Sequence, residues 1–138
     1  MKIATTRYSD NAFNFATLIL RIGAGSLMII NHGLSKMTHF SEMSGQFINP
    51  FHIGSSATLA LVIFAEVFCS AFIVLGLFTR LACIALVFEM AFAFFQVHHM
   101  NYSAGKGGAE PALLFLTCFL TLLFTGPGRF SVDRLIGK

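Results

Sequence analysis

The chain has 138 residues, of which 56% are hydrophobic and 11% are charged, and its formal net charge is +3. So few charged residues exclude an ordinary soluble domain, in which about a quarter of the residues are charged, and they predict a single-domain, all-α integral membrane protein. The scattered positive charge excludes nucleic acid as a partner, so the lipid bilayer is the expected environment.

Four apolar segments predict a bundle of four transmembrane helices. They cover residues 12–31, 54–78, 81–98 and 111–125. Inside a bilayer each segment must be helical, because unpaired backbone groups find no water there. The third and fourth segments are short, but with their flanking residues each reaches across the membrane at about 1.5 Å per residue.

The Lys and Arg residues outside the helices are unevenly distributed. The two terminal tails and the turn between the second and third helices contain Lys2, Arg7, Arg80, Arg129, Arg134 and Lys138. The other two connections contain only Lys36 and Lys106. Because cytoplasmic loops are enriched in Lys and Arg, this asymmetry predicts that both termini are cytoplasmic.

The two external connections differ in character. In the first, Phe40, Met43 and Phe47 recur at helical spacing, which predicts a short amphipathic helix at the membrane interface, ended by Asn49-Pro50. The second, residues 100–109, is rich in glycine and is expected to be flexible.

Ionisable residues lie inside three of the apolar segments: Arg21 in the first, Glu66 in the second and Glu89 in the third. A guanidinium inside the bilayer costs at least a few kcal/mol unless it is neutralised. We therefore expect Arg21 to pair with one or both glutamates. This cluster has two interpretations, a structural ion pair that fixes helix register or a centre that handles protons or binds a ligand.

The predicted topology places all five histidines on the external side: His32, His39, His52, His98 and His99. His32 ends the first predicted helix, and Glu110 precedes the fourth. Such a group could bind a metal, donate to a quinone-like carbonyl or relay protons. No HxxxH or HExxH spacing is present, so no metal is expected and His32 is the preferred ligand-binding histidine. The three cysteines form no CxxC pair and are interpreted as small hydrophobic residues.

Four segments together resemble the DoxX family of small four-helix bacterial membrane proteins. They are LRIGAGSLMIINHGLSKMTHF, AEVFCSAFIVLGLFTRLA, GKGGAEPALLF and GPGRFSVDRL. The resemblance implies a multi-pass protein of the bacterial inner membrane. It also places Arg21, His32, Lys36, Glu66 and Glu110 at recurrent polar positions of the family. Some members resemble the membrane subunit of a thiosulfate:quinone oxidoreductase, which implies a quinone and a soluble redox or sulfur-metabolism partner.

Two functions follow from these observations. The first is a redox-linked membrane subunit that binds a quinone-like or other amphipathic molecule at a polar site formed by Arg21, His32, Lys36, Glu66, Glu89 and Glu110. Because the chain lacks any cofactor fingerprint, a quinone or a partner protein would have to carry the electrons.

The alternative is a non-enzymatic scaffold or anchor for soluble partners, in which the charged cluster is purely structural. Small residues on the first helix, including Gly23 and Gly25, would also permit a homo-oligomer. A small transporter is disfavoured because the sequence has no inverted repeat.

Overall fold

The computed structural model describes residues 2–105 and 107–137, so Lys106 and Lys138, which entered the topology prediction, lie outside the described residues. The described residues form helices and no strands, which confirms the all-α prediction. The long helices are α1 (Asp10–Thr38), α3 (Ser55–Leu75), α4 (Thr79–Val97) and α5 (Glu110–Thr125), and the short ones are α2 (Phe40–Met43) and α6 (Val132–Leu135).

Three helices, α1, α3 and α4, are long and apolar enough to cross a membrane. Helix α5 is also apolar but has only 16 residues. The ends of α3, α4 and α5 lie within three residues of the predicted bounds, whereas α1 continues to Thr38, seven residues past the predicted end at residue 31. The apolar run stops at residue 31, but the helical hydrogen bonds continue because a helix at the edge of a membrane does not need apolar side chains.

The four long helices pack in a ring in which α1 and α4 each contact both α3 and α5. The centre of the ring is apolar and contains fully buried side chains, among them Met28, Ile73, Leu86, Phe119 and Leu122. Many large apolar residues face outward instead, including Ile19, Leu61, Phe88 and Phe124. Helices that are apolar on both their inner and outer sides suit a lipid environment.

Two glycines let α1 approach α3 closely. A Cβ atom at Gly25 would lie 2.6 Å from Val74 Cγ2, and one at Gly33 would lie 2.6 Å from Val67 Cγ2 and 3.1 Å from the carbonyl carbon of Glu66. Helices in membranes associate through such small residues because packing, rather than the hydrophobic effect, holds them together. Gly33 therefore sets the distance between α1 and the Glu66 backbone.

Each of the three longest helices contains one π-helical turn. These turns are Ile29–Gly33 in α1, Phe64–Cys69 in α3 and Ala93–Val97 in α4. A π turn adds one residue to a helical turn and rotates the residues that follow, and such turns are frequent at functional sites. The side chains that follow each turn therefore face a different direction from the one that regular helical spacing would give.

The turn between α3 and α4 is held by the C-terminal segment. Gly76 ends α3 in the left-handed conformation (φ 73°). Thr79 is the first residue of α4, and among the described residues its hydroxyl has no hydrogen-bond partner. The cap comes from Asp133, whose Oδ1 accepts the N–H of Phe78 (2.8 Å) and whose Oδ2 accepts the N–H of Thr79 (3.1 Å). Asp133 thus joins the C-terminal segment to the first turn of α4.

The connection between α4 and α5 is folded over the end of the bundle. The N–H of Ala109 donates to the carbonyl of Asn101 (2.6 Å), and the His98 ring lies 3.1 Å from the Gly107 carbonyl. In the other connection the predicted interfacial helix corresponds to a single turn, α2, and its position at a membrane interface stays a prediction.

Candidate ligand-binding site

The Arg21 side chain is fully buried, with 2% of its surface exposed, but it does not meet the glutamates. Its Nε donates to the carbonyl of Ile73 (3.1 Å) and its Nη2 to that of Val74 (3.3 Å), while Nη1 donates to the carbonyl of Pro127. The expected ion pair with Glu66 or Glu89 is therefore wrong. The acid whose charge acts on Arg21 is Asp133.

The relative height of α1 and α3 explains this difference. Helix α1 begins at Asp10, well before the level at which α3 ends, so Arg21 lies beside the last turn of α3. A Cβ atom at Gly76 would lie 3.1 Å from Arg21 Cζ. The last carbonyls of a helix lack their regular helical partners. The guanidinium donates to two of them, that of Val74 and that of Ile73, which also accepts the N–H of Gly76 (3.1 Å). Arg21 therefore joins the end of α3 to the C-terminal segment.

The ion pair inside the bundle is formed by Lys36 and Glu66. The Lys36 Nζ lies 2.9 Å from both Oε1 and Oε2 of Glu66, and the exposed fractions of the two side chains are 21% and 4%. The sequence placed Lys36 in an external connection, but the π turn and the helix that follows it keep this residue in α1. The ammonium thus reaches across to the π turn of α3 and neutralises its glutamate.

A cavity of about 460 Å³ lies next to this ion pair. Residues of all three π turns contribute to its wall, and the glycine-rich connection between α4 and α5 closes one end. Its polar lining is His32, Lys36, Glu66, Glu89 and His98, and its apolar lining includes Phe47, Met90, Phe92 and Phe115. The size is within the range of about 300–1,000 Å³ typical of small-molecule sites, as is an apolar wall with a few convergent polar groups.

Glu89 differs from Glu66 because it forms no salt bridge with Lys36; its carboxyl group interacts with the Glu66 carboxyl instead. Its Oε2 atom is buried and makes no hydrogen bond to any residue that the structure describes. The charges of Glu66 and Lys36 act on the Glu89 carboxyl, so the three groups form one electrostatic cluster. A buried polar atom without a partner costs about 1–3 kcal/mol. Such an atom in the wall of a cavity is a natural contact for a bound molecule.

His32 lies within the π turn of α1 and packs edge to face against Phe115, with 5.4 Å between the ring centroids. Within the described part of the chain its ring nitrogens make no hydrogen bond, and both Lys36 and Glu66 act on it electrostatically. Glu110 lies elsewhere. It is exposed and borders a groove between α1 and α5.

The cavity therefore brings together four of the six predicted site residues: His32, Lys36, Glu66 and Glu89. Arg21 and Glu110 are not part of its wall. Sequence reasoning missed the apolar lining, above all Phe115, because nothing in a run of Phe and Leu distinguishes cavity residues from residues in lipid. Among the described residues, no three His, Cys, Asp or Glu side chains lie close enough to hold a metal ion.

Comparison with known proteins decides the family. The model of the DoxX family matches residues 16–99. The chain belongs to the DoxX family. This match includes most of α1 and all of α3 and α4, and thus contains all five polar residues that line the cavity. The segments GKGGAEPALLF and GPGRFSVDRL, which also resemble the family, lie beyond it.

Two relatives of this DoxX protein are described only as uncharacterized proteins of Haemophilus influenzae. One is 36% identical over 120 residues, which is 80% of this chain and 84% of the relative. The other is 25% identical over 101 residues, which is 72% of this chain and 67% of the relative. No solved structure matches the chain significantly. The DoxX assignment and the apolar helices identify a membrane protein in contact with the lipid bilayer.

Proposed function

We propose that this DoxX protein is a redox-linked membrane subunit that binds a quinone-like molecule in the cavity between the π turns. The observation that carries the proposal is the buried Glu89 Oε2, which lines this cavity without a partner beside the Lys36–Glu66 ion pair. A ligand with a hydrogen-bonding headgroup would satisfy that atom.

The residues of the cavity suit both forms of a quinone headgroup. His32 and Lys36 can donate hydrogen bonds to carbonyl oxygens, and Glu89 can accept one from a hydroxyl group. Glu66, already paired with Lys36, holds the ammonium in place. A quinone bound there would supply two-electron, two-proton redox chemistry, with electrons from a soluble redox or sulfur-metabolism partner. Arg21 takes no part in this proposal because it does not line the cavity and each of its three side-chain nitrogens donates to a carbonyl oxygen elsewhere.

Binding can be tested with an introduced fluorophore. The chain has no Trp, so Phe115→Trp adds a single reporter beside His32. We expect a soluble dimethoxybenzoquinone to quench this Trp with a saturable dependence on concentration. Adding Glu89→Leu or His32→Phe should weaken binding about tenfold or more, since each removes a hydrogen bond to the ligand.

The matched control is Glu110→Gln, an acid outside the cavity, which should leave the affinity unchanged. Non-saturable quenching, or equal affinities in the Glu89→Leu and control proteins, would refute quinone binding at this site.

We further infer four membrane spans, α1, α3, α4 and α5, with both termini in the cytoplasm of a bacterial inner membrane and α2 at the outer interface. The support is that His32 and His98 border the same cavity, while Arg80 lies at the opposite end of α4. Single cysteines at Lys2 and Ser41, in a background without the native cysteines, test this topology. A membrane-impermeant maleimide added to intact spheroplasts should label position 41 and not position 2.

The alternative function is a scaffold that associates with itself. One observation favours it: a Cβ atom at Gly23 would meet nothing within 4 Å, and Gly23 borders the groove of about 660 Å³ between α1 and α5. An exposed glycine on a membrane helix permits close contact with a second helix. If this face joins two copies, Gly23→Leu should convert a dimer to a monomer in light-scattering measurements. A wild-type protein that is already monomeric would refute self-association.

A further inference from the structure

We infer that the ligand of the polar cavity carries an apolar tail, of the prenyl or alkyl class, and that the tail lies in a second cavity between α3 and α4. This inference rests on the proposed function and specifies the class of ligand. It also implies that the ligand reaches the site from the bilayer rather than from water.

The second cavity has a volume of about 280 Å³ and a wall that is almost entirely apolar. Its lining includes Phe51, Ile53, Leu61, Ala65, Ala85 and Phe88. Phe51, Ile53, Leu61 and Phe88 are all at least half exposed. Because Leu61 and Phe88 lie on the outward surface of α3 and α4, and Phe51 and Ile53 lie in the segment before α3, the cavity opens sideways toward lipid rather than toward the centre of the bundle.

The two cavities are adjacent. They share four lining residues, which are Ile48, Val62, Glu89 and Phe92. The shared polar residue is Glu89, whose buried Oε2 has no partner among the described residues. A headgroup hydrogen-bonded to Glu89 therefore lies at the boundary between the two cavities. A substituent on that headgroup would point from the polar side, beside Lys36, into the apolar side.

The segment between α2 and α3 borders the outer part of the apolar cavity. The Phe51 ring packs against Phe92, with 6.0 Å between centroids, and against Phe88, with 6.4 Å. The Gly54 N–H donates to Asn49 Oδ1 (3.0 Å), which closes the backbone around this turn. A compact polar ligand would leave the space behind Phe51 unfilled, and an entire helix is too wide for it. A flexible hydrocarbon chain fits both the shape and the lining.

Two probes separate the tail from the headgroup: a dimethoxybenzoquinone with a ten-carbon alkyl chain and the same ring without the chain. Binding is measured in nanodiscs with the Trp reporter at position 115. Ala85→Phe adds bulk to the wall of the apolar cavity alone, since Ala85 does not line the polar one. The matched control is Ala60→Phe, an exposed position on α3 that lines neither cavity.

We expect Ala85→Phe to weaken binding of the tailed probe about fivefold or more, the effect of overpacking an occupied site, and to leave the tailless probe unaffected. Ala60→Phe should leave the affinity for both probes unchanged. Phe51→Ala, an exposed substitution that does not depend on repacking the bundle, should likewise weaken only the tailed probe.

The two proposals fail differently. If Ala85→Phe and Phe51→Ala leave the tailed probe bound as in the parent protein, the tail site is refuted and quinone binding stands. If the variants weaken both probes equally, the tail site is also refuted, because the effect is then on the headgroup. If neither probe binds the parent protein, the proposed function is refuted and the tail site with it.

Discussion

The Lys36 ammonium contacts both carboxylate oxygens of Glu66 at 2.9 Å and thereby joins α1 to the π turn of α3. Helix register, charge balance and the wall of the cavity all depend on this pair. A single substitution should therefore cost more stability than removing both charges.

We predict that Lys36→Met lowers the free energy of unfolding by about 2–4 kcal/mol, since the substitution leaves Glu66 buried and uncompensated. The double variant Lys36→Met/Glu66→Leu should recover most of that loss. Unfolding in mixed micelles with increasing SDS measures both values. Glu42→Gln, which neutralises an exposed acid, is the control and should leave the free energy of unfolding unchanged. A double variant as unstable as the single one would show that the loss in Lys36→Met does not come from an uncompensated Glu66.

Gly33 offers a second test of the same interface. Gly33→Ala places a Cβ against Val67 and the Glu66 backbone, so we predict a loss of about 1–3 kcal/mol, as in other overpacked cores. Gly23→Ala is a matched control on the same helix, because its Cβ would meet nothing within 4 Å. That substitution should be neutral or stabilising by about 0.5–1 kcal/mol. Equal effects at the two positions would contradict the close approach of α1 and α3.

Arg21 provides a substitution that separates stability from ligand binding. Arg21→Lys keeps the positive charge but cannot direct a planar set of donors to the carbonyls of Ile73, Val74 and Pro127. We predict a loss of about 1–3 kcal/mol, since at least one buried carbonyl is left unsatisfied. Quinone affinity, measured on the folded fraction, should be unchanged. A stable Arg21→Lys protein with lost binding would place Arg21 in the ligand site after all.

Asp133 caps α4 with both carboxylate oxygens. Asp133→Asn retains one acceptor and loses the negative charge at the helix N-terminus, so the predicted cost is about 1–2 kcal/mol. Asp10→Asn is the comparison, because Asp10 is an exposed acid in the first turn of α1 and makes no such cap. Amide hydrogen exchange provides the decisive measurement. Exchange should accelerate at Phe78 and Thr79 in the Asp133 variant and stay unchanged in the Asp10 variant.

The sequence predicted the helices well because apolar runs of this length have few alternatives in a bilayer. It identified the ionisable residues inside the bundle, but it paired Arg21 with the wrong groups. The position of Arg21 inside an apolar segment led to the expected pairing with the glutamates, and Arg21 is indeed buried. What spacing does not contain is the relative height of neighbouring helices, so Arg21 was assigned to acids that lie nearer the other end of the bundle.

The π turns explain the remaining differences. The π turn Ile29–Gly33 continues α1 as far as Lys36 and directs the Lys36 side chain toward Glu66. The sequence around His32 has no feature that distinguishes a π turn from a regular helical turn. The Asp133 cap could not be predicted from the sequence either, because no local pattern links residues 54 positions apart in the chain. Long-range contacts of single polar side chains were the part of this fold that the sequence did not reveal.

The Asp133 cap also bears on biogenesis. The first turn of α4 stays without its hydrogen-bond acceptors until residue 133 has been synthesised and has left the ribosome, after every long helix has already been made. If the ribosome stalls before that point, the helices are inserted but the bundle is incomplete. Arg21 then lacks its hydrogen bond to the carbonyl of Pro127. Quality-control proteases that recognise uncapped helix ends could therefore cleave the chain until the last few residues of this segment have been added.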